Sequence, residues 1–422
     1  MLGTMTENGL ELTQTEEDAE VIVVNTCCFI DSAKEESINT IIEMGRWKNE
    51  GVCKVLIVTG CLAERYRQEI LDEMPEVDAV LGTSSYDKIM EVLRQALRGQ
   101  HVTMFEDVDR KLMPKGKRLL TTGGHYAYLK IAEGCDKHCT YCIIPSVRGS
   151  YRSVPMEDLI EEASSLAEQG VKELILVAQE TTLYGTDLYG KKSLHTLIKK
   201  LAQIPGIRWI RVLYCYPEEI YDELIETMKE EPKFCHYLDL PIQHASDNIL
   251  KKMGRRTSKA DLIEIVTKLK KEIPDIILRT TLITGFPSET EEDVEEVEDF
   301  INELEFNRLG VFTYSNEDGT PASRMEGHLP EEVKEERRDR LMLLQQEIAF
   351  DLAEAMTGRE MYVMVEGKVS GENVYVCRTY GDAPNVDGYL FLDSAETLVS
   401  GDFVKVRVTG ANEYDLTGEI VS

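Results

Sequence analysis

Three cysteines in one short segment are the residues of this chain best suited to chemistry. Cys135, Cys139 and Cys142 follow the spacing C-x3-C-x2-C. Neither the 3.6-residue period of a helix nor the two-residue period of a strand brings all three thiols to one face, so we expect them on a loop. An electron-transfer [4Fe-4S] cluster takes four thiolates, whereas this segment offers three. A cluster held here would leave one iron open to a further ligand.

Two other interpretations of the segment stay open. A tetrahedral zinc site would need a fourth ligand, and His138 lies between two of the cysteines, which is a poor position for joining them. Three buried free thiols are the second alternative. The cysteines without ligand-like spacing are interpreted as structural thiols: Cys53, Cys215, Cys235 and Cys377.

The spacing, with the aromatic Tyr141 directly before the last cysteine, resembles the signature of the radical S-adenosylmethionine (SAM) enzymes. The resemblance implies that Cys135, Cys139 and Cys142 are catalytic residues that hold a [4Fe-4S] cluster, with SAM chelating the open iron. It also implies that Tyr141 is a cofactor-binding residue.

Two more cysteines each end an apolar, β-branched segment near the amino terminus. Residues 20–27 and 54–61 have the pattern of buried parallel strands and end in Cys27 and Cys61, and residues 77–82 look like a third strand. Helical patterns follow at 32–48 and 63–74. Because ligands gather beyond the carboxyl ends of parallel strands, we expect Cys27 and Cys61 at the same sheet edge, where they could share a ligand.

This pair resembles the amino-terminal domain of the methylthiotransferases, a family of radical SAM enzymes that hold an auxiliary [4Fe-4S] cluster by three cysteines. The resemblance makes Cys27 and Cys61 metal ligands. The family's first cysteine, with its strand, would fall upstream of Met1, so we expect an internal start or a truncated domain with two ligands. Cys28 is a weaker substitute, because neighbours in a strand point to opposite faces.

Strands and helices alternate from residue 126 onward, which favours a parallel sheet covered by helices. The radical SAM resemblance makes this a partial (β/α)6 barrel. Strands are expected near 126–132, 173–179, 208–214, 236–242, 276–284 and 309–314. Helices are expected near 155–169, 193–203, 217–229, 258–272 and 290–304.

Polar motifs follow several of these strands at the end where barrel enzymes place their sites. The resemblance implies cofactor-binding roles for Gln179 and Glu180 after the second strand, Gln243 after the fourth and Gly285 after the fifth. The first pair could instead form a helix-capping turn, and Ser288 or Thr290 could cap the acidic helix that follows.

A long helical segment, 330–356, leads to alternating β patterns that suggest a small five-stranded barrel of the OB type. It resembles a TRAM domain, a substrate-recognition module. The expected fold is therefore a multidomain α/β protein. Its expected parts are an amino-terminal methylthiotransferase domain at 1–102, a linker at 103–124, a radical SAM barrel with a trailing helix at 125–356 and a TRAM domain at 357–422.

Composition narrows the function classes. The net charge of the 422 residues is -30, which would repel a polyanion and attract a cationic partner. Within 359–422, five Lys/Arg stand against eleven Asp/Glu, whereas an RNA-binding barrel is normally basic. No signal-peptide pattern or long apolar segment occurs, so we expect a cytoplasmic protein whose ten cysteines are not a disulfide framework.

The resemblance implies a methylthiotransferase that uses two [4Fe-4S] clusters and two SAM molecules. The sequence stretches that carry the resemblance favour the branch of the family that modifies the β-carbon of an aspartate in small-subunit ribosomal protein twelve. We expect that aspartate to be held between the barrel and the TRAM domain. Flavodoxin or ferredoxin is the expected electron donor, and no membrane or direct nucleic-acid binding is expected. The alternatives are the branch that modifies an adenosine in tRNA, and an iron-sulfur redox protein without radical chemistry.

Overall fold

The computed structural model describes residues 1–111, 118–412 and 414–421, and these form two compact units. The first comprises Met1–Leu119, Glu133–Arg152 and Ser315–Arg324. The second comprises Leu120–Ala132, Ser153–Tyr314 and Met325–Ser422. The three-cysteine segment therefore belongs to the same compact unit as Cys27 and Cys61. Among the described residues, no helix is both long and apolar enough to cross a membrane.

The first unit is built on a parallel sheet in the order β1-β2-β3-β4. Its strands are β1 Val21–Thr26, β2 Val55–Gly60, β3 Ala79–Leu81 and β4 Val102–Met104. In the middle of the sheet, Val23 of β1 pairs with Ile57 of β2, and Ile57 pairs with Ala79 of β3. Every residue of β2 and β3 is buried, as expected for parallel strands covered on both faces. The first three strands confirm the predicted pattern, and β4 is additional.

Helices cover both faces of this sheet. They are α1 Leu2–Glu7, α2 Asp31–Glu50, α3 Cys61–Tyr66, α4 Gln68–Glu73, α5 Ile89–Ala96 and α6 Ile144–Arg148. The helix predicted over 63–74 is broken at Arg67, whose φ of 45° ends α3. The Arg67 guanidinium donates to the carbonyl and the carboxylate of Glu64, which holds the break. The predicted linker 103–124 begins inside β4, and its residues 112–117 lie outside the described ranges.

The second unit contains a six-stranded parallel sheet in the order β12-β11-β10-β9-β8-β5. Between residues 126 and 313 the strands are β5 Tyr126–Lys130, β6 Ala132–Glu133, β7 Arg152–Ser153, β8 Glu173–Val177, β9 Trp209–Val212, β10 Phe234–Asp239, β11 Ile277–Thr284 and β12 Arg308–Thr313. All six predicted barrel strands are confirmed. The described strands leave the sheet open between β12 and β5, as a partial barrel requires.

The helices of this unit include the six predicted between 155 and 356, and two short ones that were not predicted, at Thr186–Tyr189 and Asp247–Lys252. They are α7 Met156–Glu168, α8 Thr186–Tyr189, α9 Leu194–Leu201, α10 Asp222–Glu230, α11 Asp247–Lys252, α12 Lys259–Glu272, α13 Glu291–Leu304 and α14 Glu331–Glu354. Short 3-10 turns lie at Tyr86–Lys88, Pro217–Glu219 and Ala322–Arg324. Thr290 caps α13 through a reciprocal pair of hydrogen bonds with Asp293, which confirms one of the two capping candidates.

A closed five-stranded barrel follows α14, in the order β13-β14-β15-β17-β16. Its strands are β13 Glu360–Lys368, β14 Val374–Thr379, β15 Leu390–Asp393, β16 Phe403–Asn412 and β17 Asp415–Ile420. Inward residues of all five strands form one core, which includes Val363, Tyr375, Leu390, Val406 and Leu416. The predicted small β-barrel is confirmed.

This small barrel packs against the amino ends of the six-stranded sheet. The ring of Phe403 meets that of Trp209, the first residue of β9, at 4.8 Å between centroids. Lys172, directly before β8, donates to the Gly401 carbonyl at 2.7 Å. These contacts lie at the end of the sheet opposite the polar motifs, and the position of the substrate between barrel and TRAM domain stays a prediction.

Residues 380–389, which join β14 to β15, enter the interior of the larger barrel from that end. Ala383 belongs to the same apolar cluster as Ile175 and Tyr237, which line the inner face of the sheet. The Tyr237 hydroxyl donates to Asp387 at 2.8 Å. The amino end of the larger barrel is thus filled by the loop 380–389.

Buried charges join the two parts of this unit. Glu173 accepts hydrogen bonds from Arg211 Nε at 2.8 Å and from Arg378 Nη2 at 2.6 Å, and all three side chains are fully buried. Arg378 Nε also donates to Glu366 at 2.7 Å, and Glu366 in turn contacts His125 Nε2 at 2.8 Å. Burial raises the pKa of Glu173, but the two guanidinium charges outweigh it and hold the pKa below its usual range.

Candidate active site

The three-cysteine segment is a loop, as its spacing predicts. It leaves the sheet after β5 and ends in α6, which brings the chain back beside its start: the Cys135 amide donates to the Gly149 carbonyl at 3.1 Å. Gly134 has a φ of 80°, and a Cβ there would lie 2.1 Å from the Ser150 carbonyl oxygen. Only glycine fits this close approach, so the loop is closed by backbone geometry.

The thiols of this loop lie close enough to affect one another. Cys135 and Cys139 are buried and Cys142 is partly buried. The pKa of the Cys142 thiol is raised to about 12, first by burial and then by the neighbouring sulfurs of Cys139 and Cys135. The thiolate form of Cys142 is therefore disfavoured until a cation compensates, which suits a soft, thiolate-ligated metal centre.

The chemistry of the donor set therefore fits an iron-sulfur cluster better than zinc. Three sulfurs come from one loop, and His138, the fourth donor considered for zinc, has an exposed side chain and a φ of 52°. Among residues 1–111, 118–412 and 414–421, no three or more His, Cys, Asp or Glu side chains are arranged so that they could hold a metal ion. The metal roles of Cys135, Cys139 and Cys142 thus remain predictions.

The second predicted pair lies at the carboxyl edge of the amino-terminal sheet. β1 ends at Thr26 and β2 at Gly60, which are paired in register, so Cys27 and Cys61 both stand directly beyond their strands. Cys27 is exposed, and its amide donates to Ser37 Oγ at 3.0 Å. The sheet thus brings the two residues to one edge, as predicted, and their role as ligands remains a prediction.

Cys28 lies closer to this site than strand alternation predicted. Its thiol is buried, and its pKa is raised to about 12, first by burial and then by the neighbouring Cys61. The alternation argument assumed that Cys27 and Cys28 lie inside the strand, but β1 ends before both of them. The four cysteines interpreted as structural, Cys53, Cys215, Cys235 and Cys377, are all buried.

Sequence reasoning missed the arginine that contacts this edge. Arg148, the last residue of α6, donates from Nε to the Cys61 sulfur at 3.2 Å. Its guanidinium also lies 3.6 Å from Glu133, just ahead of the three-cysteine loop. An arginine thirteen positions after a cysteine has no ligand-like spacing, so no sequence signal could have identified it.

The predicted cofactor-binding residues of the second unit lie at the carboxyl ends of its strands. Gln179 is partly exposed and Glu180 is buried, just beyond β8. Glu180 Oε1 accepts a hydrogen bond from the Thr182 amide at 2.8 Å and a very short one from the Thr182 hydroxyl. One carboxylate oxygen therefore holds a local turn, as the alternative interpretation proposed.

Gln243 and Gly285 follow the next strands. The backbone of Gln243 extends the sheet beyond β10: its carbonyl accepts a hydrogen bond from the Ile283 amide, and its amide donates one to the Thr281 carbonyl. The φ of Gln243 is 74°. The Gly285 amide donates to both carboxylate oxygens of Glu289 at 2.9 Å. A Cβ at Gly285, whose φ is 73°, would lie 2.2 Å from Lys334 Cγ. Close packing explains this glycine, and its cofactor role stays a prediction.

Backbone strain marks the same edge of the sheet. Tyr214, Gln243 and Ser288 have φ values of 60°, 74° and 62°, and they follow β9, β10 and β11. Tyr214 is held by hydrogen bonds from its amide to Asp239 and from Thr181 to its carbonyl, and it is 48% exposed. Left-handed non-glycine residues persist where surrounding contacts over-determine them, often at functional sites. Sequence analysis did not identify Tyr214 as a site residue.

Comparison with family models divides the chain into three matched segments. Residues 1–82 match the uncharacterized protein family UPF0004, residues 129–301 the radical SAM superfamily and residues 357–421 the TRAM domain. The radical SAM match contains the three-cysteine loop and the strands that precede Gln179, Gln243 and Gly285. The predicted radical SAM and TRAM regions are confirmed.

Relatives match the chain over nearly its whole length. The ribosomal protein uS12 methylthiotransferase RimO of Lachnoclostridium phytofermentans is 60% identical over 99% of this chain and 95% of that protein. Proteins of the same name from Clostridium botulinum strain Eklund 17B and Clostridioides difficile are 49% and 48% identical over 100% of this chain, and 94% and 95% of those proteins.

Solved structures agree on the fold. Two structures of the radical SAM methyltransferase TsrM from Kitasatospora setae each superpose with a TM-score of 0.51, at 13% and 14% identity. They cover 72% and 84% of this chain, and 64% and 67% of those chains. With the relatives at 48–60% identity, these findings confirm the predicted family and its ribosomal-protein branch. The chain belongs to the RimO family of ribosomal protein uS12 methylthiotransferases, which are radical SAM enzymes.

Proposed function

We propose that this chain transfers a methylthio group to the β-carbon of an aspartate in ribosomal protein uS12. The observation that carries the proposal is the 60% identity to a uS12 methylthiotransferase over 99% of the chain. The three-cysteine loop supports it, because its donor set fits a cluster with one open iron. No described feature favours the tRNA alternative.

Cofactors of this family are [4Fe-4S] clusters and SAM. Cys135, Cys139 and Cys142 would hold one cluster, and Cys27 and Cys61 would provide ligands for the auxiliary one. When bound, these groups supply a carbon-centred radical that removes hydrogen from an unactivated carbon, and a sulfur that carries the methyl group. Such a C–H bond offers no proton whose pKa a side chain could match, so the cofactors must supply this chemistry.

The protein's own residues would orient the cofactor at the carboxyl ends of the barrel strands. We assign SAM-binding roles to Tyr141, Gln179, Glu180, Gln243 and Gly285. The amides and side chains near Gln179 and Gln243 belong to ordered turns, so they need little rearrangement to bind a polar ligand. The Gly285 amide is already used by Glu289, so its contribution would be close backbone approach rather than donation.

Charge supports a basic protein substrate. The chain carries -30, and the small barrel is itself acidic, which would attract a cationic ribosomal protein and repel free RNA. We further propose that a flavodoxin or ferredoxin donates the electrons and that the reaction takes place in the cytoplasm, where ribosomes are assembled. Direct nucleic-acid binding and membrane attachment form no part of this proposal.

We propose the domain boundaries that the sequence predicts. Residues 1–102 form the methylthiotransferase domain, 103–124 the linker, 125–356 the radical SAM barrel with its trailing helix, and 357–422 the TRAM domain. The matches at 1–82, 129–301 and 357–421 support this division.

Deleting the gene tests the substrate. Mass spectrometry of uS12 and of tRNA nucleosides from the same cells would compare deletion and parent strains. We expect uS12 to lose the mass of one methylthio group while the tRNA nucleosides stay unchanged. Complementation with a Cys135→Ala, Cys139→Ala, Cys142→Ala triple variant should not restore the modification. An unmodified nucleoside beside unchanged uS12 would overturn the proposal in favour of the tRNA alternative.

A further inference from the structure

Arg148 links the two sets of cysteines within the first unit. Its Nε lies 3.2 Å from the Cys61 sulfur, and its Nη1 lies 3.6 Å from Glu133, two residues ahead of Cys135. The side chain is 23% exposed, so its charge is only partly screened by water. One guanidinium thus lies close both to Cys61, at the carboxyl edge of the amino-terminal sheet, and to Glu133, at the start of the three-cysteine loop.

The backbone of Arg148 is fixed from several directions. Its carbonyl accepts from Arg152 Nη2 at 3.0 Å, and Arg152 is held by Asp109 at 3.2 Å. The preceding carbonyl, of Val147, accepts from Thr83 Oγ1 at 2.8 Å. The backbone from which the guanidinium extends is therefore fixed by the fold, and the contacts with Cys61 and Glu133 hold the guanidinium itself.

Apolar packing supplies the remaining restraint. Ile143 and Val147 at α6 belong to the same buried cluster as Leu62 and Ala63 of α3, the helix that begins with Cys61. Glu64 of α3 accepts from the amide of Thr83, the residue that also binds Val147. The segment after the catalytic cysteines is thus packed directly on the helix that carries the auxiliary cysteine.

We propose that Arg148 is a positioning residue for the auxiliary cluster: it donates a hydrogen bond to the Cys61 thiolate and holds that ligand in fixed relation to the radical SAM loop. The proposal rests on the proposed function, because it takes Cys61 as a cluster ligand. Donors to ligand sulfurs orient the ligand and stabilise the more reduced, more negative cluster. Arg148 would therefore hold the Cys61 thiolate in place as a ligand, and a cluster bound there would have a higher reduction potential.

The test compares Arg148→Gln and Arg148→Lys with the parent chain. Each change is also placed in a background lacking Cys135, Cys139 and Cys142, so that spectra report the auxiliary cluster alone. Iron content, electron paramagnetic resonance and a redox titration give readouts that do not depend on turnover. Arg67→Gln is the matched control, because Arg67 adjoins α3 and binds Glu64 without contacting a sulfur.

We expect Arg148→Gln to shift the auxiliary potential to more negative values or to lower its iron content. In the loaded enzyme, methylthio transfer should fall roughly tenfold or more while SAM cleavage stays near the parent rate, since a lost charged hydrogen bond corresponds to about that factor. Arg148→Lys, which keeps the charge, should restore part of the potential. Arg67→Gln should match the parent.

Unchanged potential, spectrum and iron content in Arg148→Gln would overturn the inference. If Arg148→Gln does not fold, the Lys variant decides: a potential shifted part of the way to more negative values supports the inference, and a parent-like potential, spectrum and transfer contradict it. A parent chain that holds no auxiliary cluster at all would instead refute the ligand assignment of the proposed function, which distinguishes the two failures.

Discussion

Glu173 and Arg378 form a fully buried ion pair of 2.6 Å between the first residue of β8 and a strand of the small barrel. Arg211 completes the arrangement from β9, and its Nη1 donates to the Tyr380 carbonyl at 2.6 Å. Two arginines share one carboxylate, so the stability of both charges depends on Glu173. The TRAM domain is thereby attached to the barrel by charge as well as by apolar packing.

Glu173→Gln should destabilise the protein by about 3–5 kcal/mol, because it leaves two buried guanidinium groups without their shared counter-charge. The free energy of unfolding in urea measures the change. Glu360→Gln is the control: Glu360 binds Lys405 and Arg407 on the surface of the same barrel, where water and salt screen the ion pairs and the loss of stability should be much smaller. Equal effects of the two substitutions would contradict the interpretation.

His125 should make this attachment depend on pH. Burial lowers the pKa of His125, but the hydrogen bond that its ring donates to Glu366 and the charge of that carboxylate outweigh burial, so the pKa lies above the ordinary value of 6.5. A raised pKa in the folded state adds stability below pH 6.5 that is lost as pH rises through the folded pKa. The melting temperature should therefore fall as pH rises above 6.5.

His125→Asn is the comparison for that pH dependence. The variant should be less stable than the parent at the acidic end and should lose the slope, because Asn carries no titrating proton. The same slope in both proteins would show that another group titrates in this range.

Replacing any one of Cys135, Cys139 and Cys142 by Ala should abolish formation of 5′-deoxyadenosine from SAM. Each thiolate would hold one iron of a cluster that has only three protein ligands, so no other residue compensates for its loss. Chromatography of the reduced, reconstituted protein measures the product. Cys53→Ala, a buried thiol in the core of the first unit, should retain cleavage. Cleavage at the parent rate by any of the three variants would refute the ligand set.

Replacing Tyr214 by Gly should distinguish the effect of this residue on stability from its effect on methylthio transfer. Tyr214 has a φ of 60° and glycine adopts this conformation freely, so stability should stay unchanged or rise by up to about 1 kcal/mol. Methylthio transfer should nevertheless fall roughly tenfold or more, because the exposed ring lies at the carboxyl end of β9, where barrel enzymes bind ligands. Thermal unfolding and transfer assays measure the two effects.

Glu305→Gly is the matched control for that substitution. Glu305 also has a positive φ, of 43°, but it lies at the end of α13. A similar change in stability with unchanged transfer is expected. If Tyr214→Gly also leaves transfer unchanged, Tyr214 has no part in the reaction.

Local patterns in the sequence predicted most of the secondary structure. Alternating apolar segments identified all six barrel strands and the longer helices between them, but not the short helices α8 and α11, and the cysteine spacing predicted a loop. The break at Arg67 was not predictable, because it depends on a single left-handed residue inside a helical pattern. Cys28 was misplaced for a similar reason, since β1 ends at Thr26, one residue before the end of its pattern and two residues before Cys28.

Contacts between distant segments were beyond sequence reasoning. Arg148 and Cys61 are separated by 87 positions, and Glu173 and Arg378 by 205. Nothing in their local patterns distinguishes them from surface charges. The side of the barrel on which the TRAM domain packs follows from such contacts, so the sequence could not indicate it.

The loop 380–389 has a consequence for how a protein substrate approaches. Because it fills the amino end of the barrel, the interior is a chamber closed at that end, and no polypeptide can be threaded through it. A target side chain would have to enter from the carboxyl ends of the strands and leave by the same route. Such access favours a residue at the tip of a protruding loop over one within a helix or strand of a folded protein.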